Sequence, residues 1–98
     1  MVPSEPVDIK QLITKLDSKD LFIRGQVVDE LVKIGAPAVE PLIRALRDES
    51  PVVKAYALEA LKEITGENLG QEPFEWERWW EENGEYFLKR HAESGEKE

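Results

Sequence analysis

Apolar residues recur along this chain at intervals of three and four. Ile9, Leu12, Ile13 and Leu16 form one stripe, and Ile23, Val27, Leu31 and Ile34 form a second. Val39, Leu42, Ile43 and Leu46, then Val53, Ala57, Leu61 and Ile64, repeat both. Such spacing keeps side chains on one face of an α-helix, whereas a half-buried strand needs strict alternation. The punctuation agrees. Ser4 or Glu5 precedes Pro6 ahead of a first helix over 7–17, and Asp20 can cap a second that stops at Gly35. Gly35-Ala36-Pro37 opens a third over 37–48, and Ser50-Pro51 opens a fourth that ends near Gly66. Pro41, about one turn into the third helix, is expected to bend it slightly.

The two pairs of stripes are related by a shift of 30 residues without gaps. Leu12 then falls on Leu42, Ile13 on Ile43, Leu16 on Leu46, Leu31 on Leu61 and Ile34 on Ile64. The identities sit on apolar positions, as expected where packing rather than chemistry fixes a repeat. Four amphipathic helices cannot bury their stripes alone. Stacked in antiparallel pairs, each buries its stripe on its neighbours, which is the start of a solenoid.

From Leu16 to Gly66 the chain resembles the HEAT-like repeats of phycobilin lyase subunits and many small prokaryotic proteins. Leu46, Asp48, Pro51, Val53, Lys54, Ala57 and Leu61 carry the resemblance, with lysine where the family pattern has arginine. In the first copy Leu16, Ile23, Arg24 and Leu31 fit, while Ser18 stands at the aspartate position and Asp17 one residue early. The resemblance implies an all-α chain, a short right-handed α-solenoid of helical hairpins with four repeat helices and a C-terminal capping helix. It also implies that Arg24 and Lys54 pair with acidic residues of a neighbouring turn such as Asp48. Binding would run along the concave side, lined by 7–17 and 37–48. One domain over 1–98 is expected, with repeats over 7–66, a tryptophan-rich cap over 67–92 and an unstructured acidic tail over 93–98.

The repeat breaks after Gly66. Trp76, Trp79 and Trp80 then follow within five residues, with Phe74 before them and Tyr86 and Phe87 after. Trp76 and Trp80 share a helical face. A terminal repeat leaves an apolar flank open, and aromatic rings of ~150–250 Å² each could close it. Glu75, Glu77, Glu81 and Glu82 would form the polar outside. An aromatic pocket for a cationic ligand is the alternative use of the cluster.

Charge narrows the function. The net charge is −8, and a phosphate backbone needs a basic surface, so nucleic acid is not an expected partner. No stretch approaches the ~20 apolar residues of a membrane-spanning helix. The N-terminus has neither the basic start nor the apolar core of a signal peptide, so a cytoplasmic location is expected. There is no cysteine and a single histidine, His91, followed by Ala92. Thiolate metal sites, His-based triads and the paired His-Glu iron sites of HEAT-like hydroxylases are therefore not expected, and neither is a cofactor. No phosphate loop or nucleophile motif is present.

A protein-interaction scaffold without catalysis is the reading these features favour. A small non-catalytic subunit of a lyase-like or other enzyme assembly, and a ligand binder at the tryptophans, are the alternatives. Lys10, Thr14, Glu40, Arg44 and Arg47 are the candidate partner-binding residues, on a ridge more basic than the rest of the chain. The first helix has no cap comparable to the tryptophan segment, so its flank, with Val2 and Val7, is a candidate for weak homodimer formation.

Overall fold

In the computed structural model, residues 8–96 are described, with the backbone alone for 91–96. The described residues form helices and no strand. α1 spans Ile9–Thr14 and tightens into a 3₁₀ turn over Lys15–Asp17. α2 spans Leu21–Ile34. A 3₁₀ turn over Ala36–Ala38 leads into α3, Val39–Ala45. α4 spans Pro51–Thr65 and α5 spans Pro73–Glu96.

The helix ends follow side-chain chemistry. The Asp20 carboxylate accepts from the Phe22 N–H at 2.9 Å, and the Ser50 hydroxyl accepts from the Val53 N–H at 3.3 Å, so each satisfies an orphan donor. Gly35 and Gly66 stop α2 and α4 with φ of 78° and 76°, a region costly for any residue with a Cβ. The first helix starts at Ile9, where its apolar stripe starts, rather than at residue 7. Asp8 caps it, accepting from the Lys10 and Gln11 N–H groups at 3.1 and 3.4 Å. Ser4, Glu5 and residue 7, expected at that start, lie outside the described residues, as do Val2 and residues 97–98. Pro41 is the third residue of α3, inside the first turn, where no N–H partner is lost. At the other end, α5 carries on to Glu96, so the backbone is helical through most of the stretch expected as an unstructured tail.

The helices lie in two layers. α1 packs on α3 and α3 on α5, while α2 lies beside α4 in the second layer. The molecule measures 40 × 38 × 16 Å, and the short dimension fits two helix layers ~8–10 Å apart. The core runs continuously between them, from Leu16, Val28 and Leu31 through Val39, Leu42 and Ile43 to Val53, Ala57, Leu61 and Trp76. Ile23 departs from its expected place in the buried stripe and is 37% exposed. Its equivalent, Val53, is buried by the preceding helices. Nothing in the described residues stands in that place for Ile23.

The turns before α2 and α4 share one hydrogen bond, from the capping residue's N–H to the side chain two residues before it. The Ser18 hydroxyl accepts from the Asp20 N–H at 3.1 Å, and Asp48 accepts from the Ser50 N–H at 2.8 Å. These are equivalent positions 30 residues apart. Serine at 18 therefore does the work of the aspartate at 48. Asp17, which the sequence places one residue early, accepts from the Ser50 hydroxyl at 3.0 Å and ties one turn to the next.

Candidate functional site

The expected basic ridge divides in the structure. Lys10 and Thr14 are exposed one turn apart on α1, and the Thr14 hydroxyl donates to the Lys10 carbonyl at 3.0 Å. Glu40 and Arg44 are exposed one turn apart on the adjacent α3 and pair with each other at 3.2 Å. Their charges largely cancel, which leaves Lys10 as the cation of that face.

Arg47 turns away toward the cap. Its Nε and Nη2 donate to the two Glu77 carboxylate oxygens at 2.7 and 2.9 Å, a bidentate pair. The Glu77 hydrogen bond holds the Arg47 guanidinium above its ordinary pKa, and the Arg47 hydrogen bond holds Glu77 below the usual carboxylate range. Arg47 thus fastens α5 to the turn after α3 while its side chain stays 59% exposed.

The pairing implied for Arg24, Lys54 and Asp48 is revised. Among the described residues no ion pair joins them. The Arg24 guanidinium lies over the Tyr56 ring, 5.2 Å from its centroid, a cation–π contact across α2 and α4. Burial leaves its Nε without a hydrogen-bond partner.

The tryptophans close the core. Trp76 is fully buried, and its indole N–H donates to the Gly70 carbonyl at 2.9 Å. Trp79 stands edge-on to Trp76 at 6.1 Å and to Phe87 at 5.9 Å, and Trp80 reaches Phe87 at 6.3 Å. Trp79, Trp80 and Phe87 are half-buried against the core. The Trp80 ring lies on Gly84 so closely that a Cβ there would stand 2.8 Å from it. Trp76 is enclosed, and Trp79, Trp80 and Phe87 pack on one another beside it.

A different surface stands out. Leu21 is 67% and Phe22 72% exposed at the start of α2. They open a groove whose other lining residues are Gly25, Gln26, Val28 and Asp29 on α2 and Tyr56, Glu59 and Glu63 on α4. The signal was in the sequence. Leu21-Phe22-Ile23 follows the cap directly, and consecutive helical residues diverge by about 100°, so three apolar neighbours cannot all face one core.

A second groove runs along the outer edge of α1 and α2, with Leu12, Ile23 and Val27 beside Lys15, Gln26 and Glu30. Among the described residues no cluster of histidine, cysteine or carboxylate side chains suits a metal ion, and no helix is long and apolar enough to cross a membrane. No known family, no curated protein and no solved structure matches this chain.

Proposed function

We propose that this chain is a protein-interaction module built on HEAT-like helical repeats, without catalysis of its own and working in the cytoplasm. The exposure of Leu21 and Phe22 carries the reading. Large apolar side chains clustered in solvent on an otherwise well-packed helix mark a surface that a partner covers. The two-layer packing, the 30-residue equivalence of the turns and the aromatic cap support a short right-handed solenoid as the scaffold.

Affinity capture from a cell lysate with cross-linking mass spectrometry tests this. A single protein enriched by the native chain and cross-linked to its repeat helices supports the reading. Recovery of nothing beyond background sinks it. A Lys10→Glu/Arg44→Glu chain run in parallel asks whether the α1/α3 ridge takes part.

A weak homodimer through the α1/α2 edge is the second reading, favoured by the groove of Leu12, Ile23 and Val27. Sedimentation velocity across concentration tests it, and a monomer throughout removes it.

A further inference from the structure

The groove between α2 and α4 has three properties that together define what fits it. Its upper end is apolar and exposed, through Leu21 and Phe22. At Gly25 it has no side chain, and a Cβ built there meets nothing within 4 Å. A mid-helix glycine weakens its helix relative to alanine, and here it lets another backbone come close. Its lower wall is acidic, because the charged residues that line it are Asp29, Glu59 and Glu63.

We propose that this groove docks a basic amphipathic helix from another protein. The helix would set apolar side chains on Leu21 and Phe22, cross over Gly25, and run its lysines or arginines along Asp29, Glu59 and Glu63. Two helices packed side by side, as α2 and α4 are, present a channel into which the ridge of a third can settle. The acidic wall selects the sign of the partner. A second copy of this chain fits poorly, since a chain of net charge −8 would bring like charge to that wall. Anionic lipid and nucleic acid are repelled for the same reason.

The proposal rests on the interaction reading above and adds the surface and the partner's chemistry. The test uses the full chain and a fluorescein-labelled peptide of about eighteen residues, leucines at i, i+3, i+4 and i+7 and lysines elsewhere. Two control peptides replace lysine by glutamate and leucine by serine. Fluorescence anisotropy gives the affinity, and amide NMR shifts give the location.

Saturable binding is expected, with shifts centred on Phe22, Gly25, Asp29 and Glu59, and neither control peptide should bind. Phe22→Ala should weaken it about tenfold or more, as for a central apolar anchor. Gly25→Leu should raise the melting temperature, since leucine favours the helix and its Cβ meets nothing within 4 Å, while it blocks the groove and weakens binding by a similar factor. That opposition separates an occupied groove from a damaged fold. Glu59→Lys/Glu63→Lys should abolish binding, whereas Glu81→Lys/Glu82→Lys on α5, with the same change in net charge, should leave it within about twofold.

Equal losses from both charge reversals would reduce the effect to net charge and overturn the proposal. So would shifts centred on the α1/α2 edge, undiminished binding of the serine peptide, or no saturable binding. If Phe22→Ala and Gly25→Leu chains still capture the same lysate protein as the native chain, the groove falls and the interaction reading stands. If no form of the chain captures anything, both fall.

Discussion

Among the described residues, the α5 edge and the α1/α2 edge of the helical stack differ in how their apolar side chains meet solvent. At the C-terminal end α5 lays Trp76 into the core and half-buries Trp79, Trp80 and Phe87 against it. Among the described residues, the edge of α1 and α2 carries Lys15, Gln26 and Glu30 around Leu12, Ile23 and Val27. Thirty residues on, the same six positions hold Ala45, Tyr56 and Ala60 around Leu42, Val53 and Ala57. All of these are buried except the half-buried Tyr56. An apolar edge of a helical stack can be covered or made polar, and among the described residues the α5 edge is covered while the α1/α2 edge carries charge.

The sharpest way to break the comparison is to remove the covering. Trp76→Ala deletes a fully buried indole and its hydrogen bond to Gly70. A loss of about 3–5 kcal/mol is expected for such a truncation, a large share of a typical domain's ~5–15 kcal/mol. Urea unfolding would measure it. A loss under about 1 kcal/mol would mean that α5 contributes little to closing the core. Gly84→Ala attacks the same end from the other side, because the new Cβ would press on the Trp80 ring. Overpacking costs about 1–3 kcal/mol, against a helix-propensity gain of up to ~1 kcal/mol. The matching change at Gly25, where space is open, should be stabilising by about 0.5–1 kcal/mol. Opposite signs for the same substitution in two helices would place the difference in packing rather than in backbone preference.

Much of this was legible in the sequence, and what was not has physical reasons. The stripes, both glycine stops and the Asp20 and Ser50 caps depend on local spacing, which a sequence displays directly. The burial of Trp76 was foreseeable from its place after the broken repeat. The fate of Arg47 was not: its partner, Glu77, lies 30 residues away on a helix whose direction is set by tryptophan packing. The same holds for Arg24, which meets the Tyr56 ring instead of a carboxylate because side-by-side packing of α2 and α4 puts an aromatic face beneath it. Ile23 fitted the stripe by period, yet period cannot tell whether a neighbour exists to cover it. The exposed pair Leu21 and Phe22 could have been suspected from three apolar neighbours in a row.

The α1/α2 edge is tested by giving it the side chains of the covered one. Lys15→Ala/Glu30→Ala copies Ala45 and Ala60 onto the first hairpin and removes the charges that hold water there. Sedimentation velocity should then show self-association at tens of micromolar, at least tenfold tighter than any the native chain shows, which corresponds to roughly 6 kcal/mol of association free energy. If the variant associates no more strongly than the native chain at millimolar concentration, Lys15 and Glu30 are not what keeps copies apart at this edge, and edge geometry becomes the explanation.

The smallest expected effect concerns the fastening of the cap rather than its burial. Among the described residues, the Arg47–Glu77 pair is the ion pair joining α3 to α5. The folded state lowers the pKa of Glu77, chiefly through the Arg47 hydrogen bond, so it binds fewer protons there than the unfolded chain. The contribution is fully present above the ordinary glutamate range and drains away as pH falls through the lowered value. The raised pKa of Arg47 acts the other way and is lost only in strong alkali. Thermal melts of native chain and Glu77→Gln should therefore differ at neutral pH and converge in acid, with the native chain losing more. Both groups face solvent, so the gap should be small and should shrink further in molar salt. Parallel pH curves for the two chains would show that Glu77 does nothing for the cap, and that the tryptophans hold it alone.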